Sequence, residues 1–233
     1  MDFPFMLEIL PRLLRGLVLT IQVSVLALLL GTVIGIALGI VRIIGPRPVQ
    51  RLIIGYVTLI RGTPAIFHIY AASLLLPKIG IELSVFWVGL IALTVNTVGY
   101  QIEIVRAALE SIDFGQREAA ASIGMTNWMA MRSIILPQAA RRMIPPLTNE
   151  LANLIKASSA LSVIAVLEMT KIANSIRAST FKSPEVYLLV AILYFIVIQL
   201  LIWGANYLEQ NVFNYQRVEK RAAAATTTPV QAG

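Results

Sequence analysis

Residues 118–137 read EAAASIGMTNWMAMRSIILP, and the reading of this stretch decides the fold. It carries charge, a glycine in its middle and a proline at its end, and it lies between runs apolar enough for lipid. Residues 116–123 are predicted as a short helix that Gly124 ends, because glycine adopts the left-handed cap that other residues resist. Thr126 caps a second short helix over 127–135, and Pro137 closes it. Two short helices joined at a bend make a compact knob. Met125, Trp128, Met129, Ile134 and Leu136 give it more apolar surface than a solvated loop needs, so it is expected to bury a face beneath its own helices or in a partner.

Outward from the knob, the composition is that of an integral membrane protein. Of 233 residues, 58% are hydrophobic and 13% charged, whereas soluble domains carry about 25% charged residues. Residues 16–41 form a charge-free run, about 39 Å of helix against roughly 30 Å of hydrocarbon. The run outlasts the roughly 7–15 apolar residues of a signal peptide and is read as an uncleaved anchor. Gly31, Gly35 and Gly39 recur every four residues within it, clearing one face for close helix packing. Residues 52–76, interrupted by Arg61 and Gly62-Thr63-Pro64, make a second span. Residues 83–102 and 187–208 make two more.

Residues 147–167 are a weaker span, lowered in hydropathy by Glu150, Asn153 and Lys156, and charge asymmetry is what calls for them. Arg42, Arg47 and Arg51 follow the first span, Arg106, Arg117, Arg132, Arg141 and Arg142 the third, and Arg217, Lys220 and Arg221 the last. The positive-inside rule places all three groups in the cytoplasm. Two crossings must then separate Arg142 from Arg217, and 147–167 supplies the second. The expected fold class is all-α integral membrane with five transmembrane helices, N-terminus periplasmic and C-terminus cytoplasmic.

The basic balance, +7 overall, sits beside spans and acts as a topology signal rather than a nucleic-acid footprint. Cysteine is absent, which removes disulfides and thiolate chemistry. No nucleophile stands at a working spacing from a base, and the single histidine lacks companions for a metal site. No Gly-x-x-x-x-Gly-Lys-Ser/Thr loop occurs, so the chain brings no phosphate cradle of that kind.

Glu118-Ala119-Ala120, Gly124, Ile134 and Leu136-Pro137 match, without a gap, the "EAA" loop of ATP-binding-cassette importer permeases, and the chain resembles that family. Arg61-Gly62-Thr63-Pro64, Tyr100 with Glu103 and Arg106, Gly115-Gln116, and Lys156 followed by Ser158-Ser159 are similar to its polar amino acid branch, the histidine, arginine, glutamine and glutamate permeases. Ala157 stands where the branch usually has an acid, and Ala107-Ala108 where it usually has two glycines.

The resemblance implies a type I importer permease fold, with residues 1–15 an N-terminal periplasmic segment and 16–210 the transmembrane domain. It makes residues 113–145 a cytoplasmic coupling loop and 211–233 a cytoplasmic, partly disordered tail. It implies a multi-pass protein of the bacterial inner membrane whose coupling helices dock in a groove of a separate ATPase dimer. It also implies a second permease subunit, identical or homologous, and a periplasmic amino acid binding protein. The cargo would be a polar amino acid or a related zwitterion such as an opine. No cofactor is expected on this chain, ATP and Mg belonging to the ATPase. An ion-driven secondary transporter of small polar solutes is the alternative, and it calls for an internal repeat that the sequence does not show.

Arg61 inside a span is costly unless it meets a partner or water. The Gly62-Thr63-Pro64 that follows breaks the helix and frees backbone groups, tolerable where they line a cavity. A guanidinium beside such groups suits an α-carboxylate, which makes Arg61 and Thr63 candidate substrate residues. The ammonium of an amino acid calls for an acid, and Glu168 and Glu103 are the candidates, Glu103 having the other reading of pairing with Arg106 or Lys156. Asn96 is a further candidate, with interhelical hydrogen bonding as its alternative. His68 is read as a hydrogen-bonded packing residue rather than a proton relay.

Overall fold

The structure is a computed structural model and describes residues 1–209. The expected tail, with Arg217, Lys220 and Arg221, lies outside the described residues. Every regular element among the described residues is helical. The helices α1 (Phe3–Ile44), α4 (Val85–Glu110) and α9 (Ser183–Leu208) are each long and apolar enough to cross a membrane. Two bent pairs raise the number of spans to 5 when each pair is taken as one, the number expected. The first pair is α2 (Arg47–Gly62) with α3 (Ala65–Lys78), bent by 110°, and the second is Asn127–Ile164 with α8 (Met169–Thr180), bent by 51°.

The first helix starts well before residue 16. Asp2 caps it by accepting from the N–H of Phe5 at 3.1 Å, and Pro4 falls in the first turn, where its missing N–H costs nothing. Ile9, Leu13 and Leu17 are buried against Met169 and Ile176 of α8 and Val186 of α9. Residues 3–15 are therefore the first turns of α1 rather than a separate segment.

The glycine stripe packs on α4. A Cβ added at Gly31 would come within 2.6 Å of Thr97 Cγ2, at Gly35 within 2.8 Å of Gln101 Cβ, and at Gly39 within 2.6 Å of Val105 Cγ1. Both series advance by four residues, so one helical ridge lies in the groove that the glycines leave.

Proline chemistry makes the sharp elbow between α2 and α3. Thr63 precedes Pro64 and is extended, with φ −125° and ψ 142°, as expected from the clash of a proline ring with a preceding helical residue.

In the knob, α5 (Phe114–Ser122) ends at a bend where Gly124 has φ +78°. Thr126 then caps α6 (Asn127–Ala130), its Oγ1 accepting from Met129 N–H at 3.3 Å. Pro137 does not close this helix. A widened π turn over Met131–Ile135 carries α6 directly into α7 (Leu136–Ala157), and Pro137 sits in the first turn of α7, where a ring without an N–H is tolerated. The helix expected over 147–167 consequently begins at Leu136 and continues through a tight turn, Ser158–Ile164.

Candidate functional site

The knob is assembled from its own short-range chemistry and from one buried face. Asp113 caps α5 through the N–H of Gly115 at 2.7 Å, and Gln138 donates to Gln116 at 3.3 Å, tying α7 to α5. Arg142 Nη1 donates to the carbonyl of Ser111 at 2.5 Å, tying α7 to the end of α4. Ala120 is buried, as are Met131 and Ile135, which cluster with Val105, Leu109 and Ile112 from the α4 end; Leu136 packs against that cluster and Ile134 is half-buried.

The other face is open. Glu118, Ala119, Gly124 and Pro137 are exposed, and Phe114, Ile123, Trp128 and Met129 expose 69%, 75%, 60% and 51% of their surface. One face is thus packed on the bundle, the first of the two sequence alternatives, and the other is exposed. Phe114 opens α5 and Ile123 follows its last turn, and sequence reasoning singled out neither as part of the apolar face. α6 runs through the π turn into α7 without a break, so the knob is continuous with one span of the bundle.

Along α4, Asn96, Tyr100 and Glu103 recur at i, i+4 and i+7 and so share a face. Two of them meet the α2–α3 elbow. Asn96 Nδ2 lies 2.9 Å from His68 Nδ1, and His68 Nε2 lies 2.6 Å from Thr63 Oγ1. The exposed Arg61 guanidinium stands 5.8 Å from the centre of the Tyr100 ring, within cation–π reach. Thr63 and Asn96 are therefore joined by His68, while Arg61 meets the same face of α4 through Tyr100.

Glu103 is held by both Arg42 and Arg106, the latter at 2.9 Å, and Arg106 also reaches Glu110 at 2.5 Å. Its pairing with Arg106 is as read from sequence; Arg42, from α1, takes the place offered to Lys156. Glu168 stands outside the elbow group. It is fully buried at the start of α8, where its carboxylate accepts the N–H groups of Thr170 at 2.8 Å and Lys171 at 2.6 Å and faces Tyr194 Oη at 3.4 Å.

A second polar chain escaped sequence reasoning. Gln101 donates to Thr97 Oγ1 at 3.2 Å and to the Leu28 carbonyl at 3.2 Å, and Thr97 donates to the buried Glu150 at 2.7 Å. The signal was present in an acid within a span facing Thr97 and Gln101, one turn apart.

A helical membrane bundle with a bent, half-open knob in series with one of its spans, and with a polar elbow within the bundle, is the permease class of transport subunit. Over residues 27–214 the chain matches the family described as "Binding-protein-dependent transport system inner membrane component", and it belongs to that family. It is 39% identical over 193 residues to the "Probable glutamine ABC transporter permease protein GlnM" of Bacillus subtilis (strain 168), covering 83% of this chain and 89% of that one. It is 32% identical over 207 residues to the "Nopaline transport system permease protein NocM" of Agrobacterium fabrum (strain C58 / ATCC 33970), covering 84% and 86%.

Among solved structures, a chain of the "Crystal structure of an amino acid ABC transporter with histidines" superposes with a TM-score of 0.85 at 32% identity, covering 91% of this chain and 99% of that one. The fold is thus the importer permease fold that the loop resemblance implied. The chain is a transport subunit and not an enzyme: hydrolysis lies in a separate ATPase, and a substrate-binding protein completes the system.

Proposed function

We propose that the chain lines the uptake pathway for a polar amino acid or a related zwitterion such as an opine. The observation that carries this reading is Arg61, exposed at the mouth of a 110° break and set beside Thr63. A fork of N–H donors next to freed backbone groups fits a carboxylate that arrives with its own ammonium. Asn96 adds a polar contact. Of the two acids proposed for the ammonium, Glu103 shares the α4 face with Asn96 and Tyr100 but is paired with Arg42 and Arg106, and Glu168 caps α8, so neither is favoured over the other. The relatives named for glutamine and nopaline support this substrate class.

In this reading the exposed knob residues Glu118, Ala119, Gly124 and Pro137 form the coupling surface for an ATPase dimer that holds ATP and Mg, backed by the half-buried Ile134 and Leu136 and the buried Ala120. Closure of that dimer pushes on α6 and α7 and turns the pathway from inward- to outward-facing. A second permease subunit, identical or homologous, supplies the other wall. The arginines near the knob and after α1 put that end in the cytoplasm, with the N-terminus periplasmic and the C-terminus cytoplasmic.

Uptake of a panel of labelled amino acids by proteoliposomes holding the full complex tests the reading. Arg61→Ala is expected to abolish uptake while assembly and basal ATPase persist. Unchanged uptake in that variant would remove Arg61 from the pathway.

A further inference from the structure

We infer that His68 is a positioning residue for the substrate: as a neutral ring protonated on Nε2, it holds the Thr63 hydroxyl and the Asn96 amide and so fixes how these two groups meet the pathway. This rests on the amino acid reading above.

Hydrogen bookkeeping assigns the tautomer. Thr63 Oγ1 lies 2.8 Å from the Leu59 carbonyl and 2.6 Å from His68 Nε2. A carbonyl only accepts, so the single hydroxyl hydrogen goes to Leu59. The Thr63 oxygen must then accept, and His68 Nε2 must donate. A neutral ring with its proton on Nε2 leaves a lone pair on Nδ1, and Nδ1 faces the Asn96 amide nitrogen at 2.9 Å. The set closes with each of these donors facing an acceptor. A proton on Nδ1 instead would set two donors against each other.

The linkage matters because of how the two helices are otherwise held. Tyr56 of α2 donates to the Val95 carbonyl of α4 at 2.5 Å, and Ile60 packs so closely on α4 that a Cβ at Gly99 would come within 2.6 Å of its Cγ2. Those contacts seat α2 on α4. On the other side of the break, α3 begins at Ala65, after Pro64, with no side-chain cap. His68 lies one turn into α3, and it bonds both the last residue of the elbow and a side chain of α4 that is only 6% exposed. α3 is itself seated on α4, its Ile69 fully buried with Leu90 and Leu93, so the two His68 bonds act on the side chains they touch, holding Thr63 and Asn96 in register across the elbow.

The test compares His68→Leu, His68→Phe and His68→Gln in the full complex, reading KM and maximal rate of amino acid uptake in proteoliposomes beside wild type. Glutamine offers an NH2 donor and a carbonyl oxygen and can make both bonds; leucine and phenylalanine make neither. The expected result is a KM raised about tenfold or more by His68→Leu with the maximal rate within about twofold, since misplacing a binding group weakens recognition. His68→Gln is expected to restore a KM near wild type. If His68→Leu fails to assemble on gel filtration, His68→Phe, which keeps a ring, carries the comparison.

A wild-type KM in both apolar variants would overturn the inference, as would a His68→Gln as impaired as His68→Leu, because ring packing alone would then be at work. Wild-type complex that takes up no amino acid of the panel would contradict the functional reading and this inference together. Wild-type uptake with unshifted variants contradicts this inference alone.

Discussion

Thr97 of α4 donates its hydroxyl hydrogen to a carboxylate oxygen of Glu150 on α7 at 2.7 Å, across 53 residues of sequence. The acid is 6% exposed, so it depends on the donors it has, Thr97 and the Asn153 side chain. Thr97→Val keeps the shape and removes the hydrogen, leaving the acid under-satisfied at a cost of about 1–3 kcal/mol. The expected outcome is a lower Tm of the detergent-solubilised complex, with Thr97→Ser close to wild type. A Thr97→Val complex as stable as wild type would show that the pair contributes nothing.

Gly35 lies flat against Gln101, and a Cβ there would stand 2.8 Å from the Gln101 Cβ and 3.4 Å from its backbone carbon. Gly35→Leu is expected to force α1 off α4 and to cost about 1–3 kcal/mol, the range for overpacking a tight site. The measurement is the folded fraction recovered from membranes by gel filtration. Gly55, with nothing within 4 Å of an added Cβ, is the control: Gly55→Ala should be recovered like wild type.

Gly124 is held at φ +78°, again with nothing within 4 Å of an added Cβ. The cost of a substitution there is backbone strain and not a clash, about 1–2 kcal/mol for a β-branched residue. Gly124→Val is expected to distort the bend and uncouple ATP hydrolysis from transport, whereas Gly124→Asn, which visits that region more readily, should keep most coupling. The ratio of phosphate released to substrate imported reads this; full-rate transport by Gly124→Val would contradict a coupling role.

Outside the spans, Lys182 Nζ lies 2.6 Å from Asp2 Oδ2 and clasps the start of α1 to the start of α9. The hydrogen bond from Lys182 lowers the Asp2 pKa below its usual value, and the same bond raises that of Lys182. The Asp2 part is present above the ordinary carboxyl range and is lost as pH falls through its lowered pKa. The Lys182 part is present below the ordinary amine range and is lost as pH rises through its raised pKa. The clasp should therefore act between roughly pH 4 and pH 10. Amide exchange in the first turns of α1 and α9 should quicken at both extremes and in high salt, and Asp2→Asn should flatten both limbs. Identical profiles in wild type and variant would show the clasp to be idle.

Much of the fold was legible because its strongest signals are local. Pro64 and Gly124 punctuate the chain by their own geometry, and the Gly31, Gly35 and Gly39 stripe announces a close neighbour without naming it. Pro137 was misread because a proline that ends one helix and a proline that opens the next look alike; the π turn before it, which joins the two, has no sequence mark of its own. The start of α1 at Phe3 was hidden by Pro11, which breaks an isolated helix but is carried here by burial of Ile9 and Leu13. In the site, Arg61, Thr63 and Asn96 could be picked out one by one as polar residues in apolar runs. His68 links Thr63 to Asn96, the latter 28 residues from His68 in sequence, and only tertiary structure reveals it.

The most direct test of the account is substrate import by proteoliposomes containing this permease, its ATPase and its binding protein, measured with and without the ATPase subunits. Import is predicted only when the ATPase is bound and ATP and Mg are supplied, and it should fall when the exposed Trp128 on the knob is changed to a charged residue. Import at the full rate from permease alone would contradict the account.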